Sequence, residues 1–284
     1  MADSSSAMAA LLALLSSLTW GSADFLGGLA SRRVGALRVL TVSYPAGFIA
    51  ILPIAIWVLP GDPSMDILGW AVAAGAVGAI GMVMFYGALA RGTMGIISPL
   101  TAVMSAGIPV IVGLALGETL GWLAILGMLA AVVAVILISR ERGVHLRSSP
   151  LSLGLALGSG VGFGFYLTVL GLAPIDSGIW TATIARAVSS VLVIAAAVLA
   201  LRPRWSSPFP WVIVLCAGSL DALANGIFQL AAQRGDLAIV AVIGSLYPAA
   251  TLFLARVILR ERMSGIQAGG VALALAAIIA LSIG

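Results

Sequence analysis

The residues of this chain equipped for chemistry are few, and they fall at helical spacings inside apolar segments. Asp221, Asn225 and Gln229 recur at i, i+4 and i+8, which places a carboxylate and two amides on one face of a helix. That stripe reads as the wall of a central cavity or as a hydrogen-bonded seam to a neighbouring helix, with Arg186 available as a partner for Asp221. Ser17, Trp20 and Asp24 share a second face at i, i+3 and i+7, aligning an aromatic surface with a carboxylate. Asp24 reads equally as a substrate or proton group and as the salt-bridge partner of Arg32 or Arg38. Tyr44, Tyr86, Tyr166 and Tyr247 place phenols inside apolar runs; Thr101, Ser105 and Ser245 add hydroxyls, each able instead to bond a carbonyl one turn back. A carboxylate at a bilayer centre costs about 2.5–3.5 kcal/mol on insertion scales, so it is retained where it faces protein or water. The chemistry on offer is recognition of a small solute and movement of a proton or charge. Asp24, Arg186 and Asp221 are the candidate relay. Trp20, Tyr44, Tyr86, Thr101, Tyr166, Asn225, Gln229, Ser245 and Tyr247 are the candidate cavity walls.

Covalent and metal chemistry find little support. The sole histidine, His145, lies in a hydrophilic connector, and the sole cysteine, Cys216, lies in an apolar run without a His or Asn beside it in the pattern. No paired carboxylates or clustered metal ligands occur, and with no lysine in the chain no phosphate-cradling loop can be completed. The expectation is no catalytic residue, no metal and no cofactor. All fourteen cations are arginines sitting mostly in short connectors, a topology signal and no invitation to nucleic acid. A channel would want rings of charge or repeated carbonyl filters, which two unlike halves do not offer.

The elements that must position these residues follow from composition. At 62% apolar and 8% charged, the chain cannot clothe a soluble surface, and the bilayer is its solvent. Uninterrupted apolar runs exclude barrel strands and predict helices at roughly 7–29, 37–59, 67–90, 95–116, 120–138, 150–172, 179–201, 210–232, 238–258 and 265–283. Met1 to Ala7 carries no basic residue, so the first span is expected to be retained rather than cleaved. Arg32, Arg33, Arg38, Arg91, Arg140, Arg142, Arg147, Arg202, Arg204, Arg260 and Arg262 fall on one side and Arg234 on the other, which predicts both termini outside. Trp57, Trp70, Trp122, Trp180, Trp205 and Trp211 lie near span ends, as an interfacial belt requires, whereas Trp20 falls mid-helix.

The chain also repeats itself. A shift of 143 positions pairs Trp20-Gly21 with Phe163-Gly164, Arg91-Gly92 with Arg234-Gly235, Glu118 with Glu261, Gly127 with Gly270 and Ser139 with Ser282, without a gap. Five helices per unit is an odd number, so the second unit enters the membrane upside down, and such inverted pairs enclose a site near the midplane. The expected fold is an all-α polytopic membrane protein: ten transmembrane helices in two inverted five-helix repeats, residues 1–144 and 145–284, around a central cavity. Trp20-Gly21-Ser22-Ala23-Asp24-Phe25, Gly117-Glu118 and Arg260-Glu261-Arg262 resemble the ten-helix EamA branch of the drug/metabolite transporter superfamily. The resemblance implies a secondary exporter of amino acids or other small metabolites in a bacterial inner membrane, as in the YddG-like amino-acid exporters. Broad-specificity drug export and facilitated diffusion are the alternatives. Where such relatives often carry an arginine in helix two of each unit, this chain has Arg186 in the second and Ser43 in the first.

Pro99 and Pro109 in helix four and Pro248 in helix nine each free a carbonyl and are expected hinges. Glycines such as Gly75, Gly78 and Gly81 are expected to let helices approach closely, and internal duplication favours a monomer in lipid. Glu118 and Glu261 read as end-of-helix residues binding backbone or arginine.

Overall fold

The computed structural model describes residues 2–89, 94–139, 149–201, 209–259 and 264–283. Among the described residues ten apolar spans fold as eleven α-helices: α1 (Ala2–Val34), α2 (Ala36–Pro53), α3 (Met65–Leu89), α4 (Met94–Ala115), α5 (Trp122–Ile138), α6 (Pro150–Gly171), α7 (Trp180–Leu201), α8 (Trp211–Ala232), α9 (Leu237–Gly244), α10 (Tyr247–Ile258) and α11 (Gly265–Ile283). A π-turn, Ile54–Val58, extends α2 beyond Pro53, and a 3-10 turn, Ile175–Ser177, joins α6 to α7. No strand occurs among the described residues. α9 and α10 are one span broken at Ser245 and Leu246, with Pro248 in the first turn of α10. The expected bend in helix nine is thus a full interruption. α4 runs unbroken through Pro99 and Pro109.

Local sequence sets the helix ends. The Ser149 hydroxyl accepts from the Ser152 N–H at 3.1 Å with Pro150 in the first turn, a standard start for α6. Before α11, the Gln267 N–H donates to Ser264 Oγ and the Ser264 N–H donates to Gln267 Oε1, a reciprocal capping box. Gly35 and Gly178, which the 143-residue shift superimposes, both take positive φ between the first two helices of their units.

The halves pack about a pseudo-twofold axis. α1 lies on α8 as α6 lies on α3, α2 on α8 as α7 on α3, and α5 pairs with α11. Glycines report the relation atom by atom. Gly75 leaves no room for a Cβ against α7 at Ala185, and its repeat mate Gly218 leaves none against α2 at Ser43. Gly21 abuts Thr251 where Gly164 abuts Ile108, and Gly127 abuts Leu281 where Gly270 abuts Ile138, each pair of partners again 143 apart. The inversion is visible at the connectors. The Ile175–Ser177 turn, equivalent to the α1–α2 connector, lies at the opposite end of α2: the Asp62 N–H donates to the Asp176 carbonyl at 2.9 Å.

Large apolar side chains face lipid along single stripes, such as Leu11, Leu15 and Leu18 on α1. Trp57, Trp70, Trp122 and Trp211 are exposed near span ends, where a belt belongs, and Trp205 lies outside the described residues. The chain is therefore a multi-pass membrane protein.

Candidate functional site

α1 carries the first part of the site. Leu11, Leu15 and Leu18 mark its lipid face, and at 100° per residue Ser17, Trp20 and Asp24 lie on the other side. Ser17 is buried there, and Ser16 beside it donates to the Ala224 carbonyl of α8 at 2.8 Å. The Trp20 ring packs 5.6 Å from Phe228, tilted by 39°. One turn on, Asp24 turns inward and is nevertheless exposed. A Cβ added to Gly27 or Gly28 would meet nothing within 4 Å, so open space lies beside α1 at this level. Asp24 has no hydrogen-bond or ion-pair partner among the described residues, and Asp221 and the Tyr247 phenol lie within its electrostatic reach. The salt bridge to Arg38 read as one alternative is not formed, and the Arg32 side chain lies outside the described residues.

α7 and α8 supply the second part. Arg186 donates to Asp221, forming an ion pair within the membrane-spanning region. The Arg186 side chain is only 5% exposed and its guanidinium sits 4.5 Å from the centroid of the Tyr44 ring on α2. Asp221 lies opposite the lipid stripe of Val212, Leu215 and Cys216, yet its side chain is 27% exposed. Tyr166, half-buried on α6, feels the charges of both partners.

The stripe does not stay polar to the cavity along its length. Asn225 donates to the Asp221 carbonyl one turn back at 2.6 Å and is buried. Gln229 is 0% exposed: its carbonyl accepts from the Ala182 N–H at 3.0 Å and its amide donates to the Gly178 carbonyl at 3.0 Å. This is the seam reading, since a fully buried amide must find protein partners. Gln233 extends the seam, donating to the Pro174 and Gly178 carbonyls at 3.0 and 3.1 Å. Thr101 is likewise corrected from cavity wall to cross-helix tie, donating to the Ala156 carbonyl at 3.3 Å while 1% exposed. Ser105 and Ser245 donate to carbonyls three residues back at 2.9 and 2.8 Å, the usual fate of membrane hydroxyls. The side chains of Tyr86 and Pro99 lie outside the described residues.

Asp24, Asp221, Tyr166 and Tyr247 are thus within electrostatic reach of one another or of the Arg186–Asp221 pair, with Trp20 one turn from Asp24 and Tyr44 stacked on Arg186. Sequence reasoning missed Phe228, which the repeat signals: Phe85 pairs with Phe163 at 6.2 Å as Phe228 pairs with Trp20, all four related by the same shift. It also missed Gln233 and the Tyr44 stack, which nothing in helical spacing foretells. Glu118 does bind backbone, its Oε1 and Oε2 accepting from the Leu237 and Ala238 N–H groups at 2.7 and 3.0 Å; Glu261 lies outside the described residues. No group of three or more His, Cys, Asp or Glu side chains gathers to hold a metal among the described residues.

Comparison with known proteins adds the following. A solved structure described only as the crystal structure of a protein superposes with a TM-score of 0.80 at 16% identity, covering 97% of this chain and 98% of that one, a likeness of fold. No curated protein matches. A transporter family matches twice, over residues 7–140 and 150–283, with both bounds displaced by the 143 positions that relate the glycine contacts. Two units of one family, related by the symmetry that the packing displays, account for the whole membrane domain, and the chain belongs to the EamA-like transporter family.

Proposed function

We propose that this protein is a secondary transporter that exports amino acids or similar small metabolites across a bacterial inner membrane by alternating access of its two inverted halves. The observation that carries the reading is Asp24: a carboxylate on the protein-facing side of a membrane helix, exposed and without a partner among the described residues. A bundle built only to be rigid would bury or pair such a group, because an unpaired charge in the membrane is costly. A hollow that admits a solute keeps it wet. The interrupted ninth span supports a moving part beside it, since α9 and α10 meet at a two-residue break next to Tyr247.

In this reading, units 1–144 and 145–284 rock against each other, both termini face outside, and the monomer suffices because it already contains both halves. Asp24, Asp221 and Arg186 form the proton or charge relay, with Trp20, Tyr166 and Tyr247 against the cargo. The test is counterflow in proteoliposomes loaded with radiolabelled amino acids. Saturable counterflow accelerated by a pH gradient supports a coupled exporter, and saturable flux indifferent to the gradient supports a facilitator. Flux that never saturates assigns a channel, and conversion of the solute assigns an enzyme.

A further inference from the structure

The charges around the hollow do not cancel. Two carboxylates, Asp24 and Asp221, stand against one guanidinium, and Arg186 is already committed: it donates to Asp221, its face covers Tyr44 and its side chain is 5% exposed. A cargo carboxylate therefore meets no open cation among the described residues that border the hollow. What is open is Asp24, exposed on the inner face and without a partner among the described residues, one turn from the face of Trp20 and within reach of the Tyr247 phenol. Gly27 and Gly28 leave free volume beside it. A carboxylate flanked by aromatic rings is the surrounding that a cationic nitrogen prefers, through both ion pairing and the ring quadrupole.

We infer that the hollow selects its cargo through a protonated amine, which takes Asp24 as its counter-ion beside Trp20 and Tyr247. The inference rests on the carrier reading above and narrows its substrate class. An amino acid binds through its ammonium end with its carboxylate turned away from the Arg186–Asp221 pair, so the corresponding decarboxylated amine is accepted at least as well. A proton and the ammonium compete for one oxygen pair. The groups whose charge reaches Asp24 from the elements packed on α1 are Asp221 of α8 and Tyr247 of α10, with Arg186 of α7 behind Asp221; α2 and α10 also carry Arg38 and Arg256, each already engaged in an interaction. None of them offers a second open cation.

Three probes sharing one apolar body decide it: isopentylamine, leucine and 4-methylpentanoate, titrated calorimetrically into the purified full-length protein in detergent. The amine and leucine are expected to bind and 4-methylpentanoate to bind at least tenfold more weakly. Amine affinity should fall as pH is lowered, and Asp24→Asn should lose at least tenfold in amine affinity together with that pH dependence. Asp24→Glu is the folding control and should keep amine binding, with both variants checked for monodispersity. Equal binding of 4-methylpentanoate, no binding of the amine, or unchanged amine affinity in a monodisperse Asp24→Asn protein overturns the inference. Because binding is read without flux, the two readings separate. Leucine counterflow without amine preference keeps the carrier and sinks the inference, whereas Asp24-dependent amine binding without counterflow of any probe keeps the site and sinks the carrier.

Discussion

Arg186 on α7 is held to Asp221 on α8 by a direct ion pair, and the same guanidinium stacks on Tyr44 of α2, so three helices from both halves meet at one cation. Removing one member of a buried pair leaves the other charge stranded, at about 3–5 kcal/mol, whereas replacing both by apolar residues of similar size is often neutral. Asp221→Leu should therefore lower the thermal midpoint in detergent sharply, and Arg186→Met with Asp221→Leu should restore most of it. If the double variant is no more stable than the single one, the pair is not the reason for the loss.

Glu118 ties the α4–α5 connector of the first unit to the start of the ninth span by accepting from two N–H groups of α9's first turn, where a helix presents its positive end. Gly113 lies directly under the carboxylate, and a side chain there would displace it. Glu118→Ala is expected to cost about 1–2 kcal/mol, in the range of lost helix caps, and Glu118→Gln less because its carbonyl still accepts one bond. Thermal unfolding of the two variants checks the order; equal losses would say that a neutral acceptor contributes nothing and the carboxylate charge carries the whole effect.

Glycine substitutions should split into two classes. Gly218→Ala drives a Cβ into the Ser43 backbone and Gly75→Ala into that of Ala185, so each forces two helices apart and destabilises well beyond 1 kcal/mol. Gly27→Ala and Gly28→Ala meet open space, and helix propensity makes them neutral or stabilising by up to about 1 kcal/mol. The same two changes narrow the hollow, so cargo affinity should drop while the melting temperature does not.

Pro248→Ala restores an amide donor to the first turn of α10 and favours a continuous ninth helix. Turnover in proteoliposomes should fall several-fold while cargo affinity, read by calorimetry, stays within about twofold. Unchanged turnover would mean that the break is static.

A reporter fused after Ile283 should be active only on the outer side, because the excess of arginine on one set of connectors predicts that those connectors stay inside. Cytoplasmic activity would invert the whole assignment.

Element boundaries were legible because ten apolar runs end at glycine, proline and arginine: α11 begins and ends where the runs predict, 265 and 283, while α1 runs from Ala2 to Val34, beyond the expected 7–29. The two-unit architecture was legible from Gly127 and Gly270 or Trp20 and Phe163, whose partners keep the same register. The site was legible only in part. Spacing put Asp221, Asn225 and Gln229 on one face, but periodicity says nothing about which turn of that face meets a hollow and which meets another helix. Gln229 lies where α7 begins and its backbone needs partners, so it became a tie; Asp221, two turns earlier, met open space and a guanidinium. The Tyr44 contact depends on a crossing between helices of different halves, and no local pattern encodes it.

The aromatic and glycine contacts are mirrored between the halves, but the titratable ones are not: Arg186 faces Ser43 in the repeat register, Asp221 faces Gly78 and Asp24 faces Leu167. In the proposed alternating-access cycle, exchanging the postures of the two units therefore moves an unequal load, and no symmetry holds the two end points at equal free energy. On that proposal an unloaded molecule rests with one doorway preferred, and an ammonium or proton on Asp24 would be the counterweight that tips it the other way.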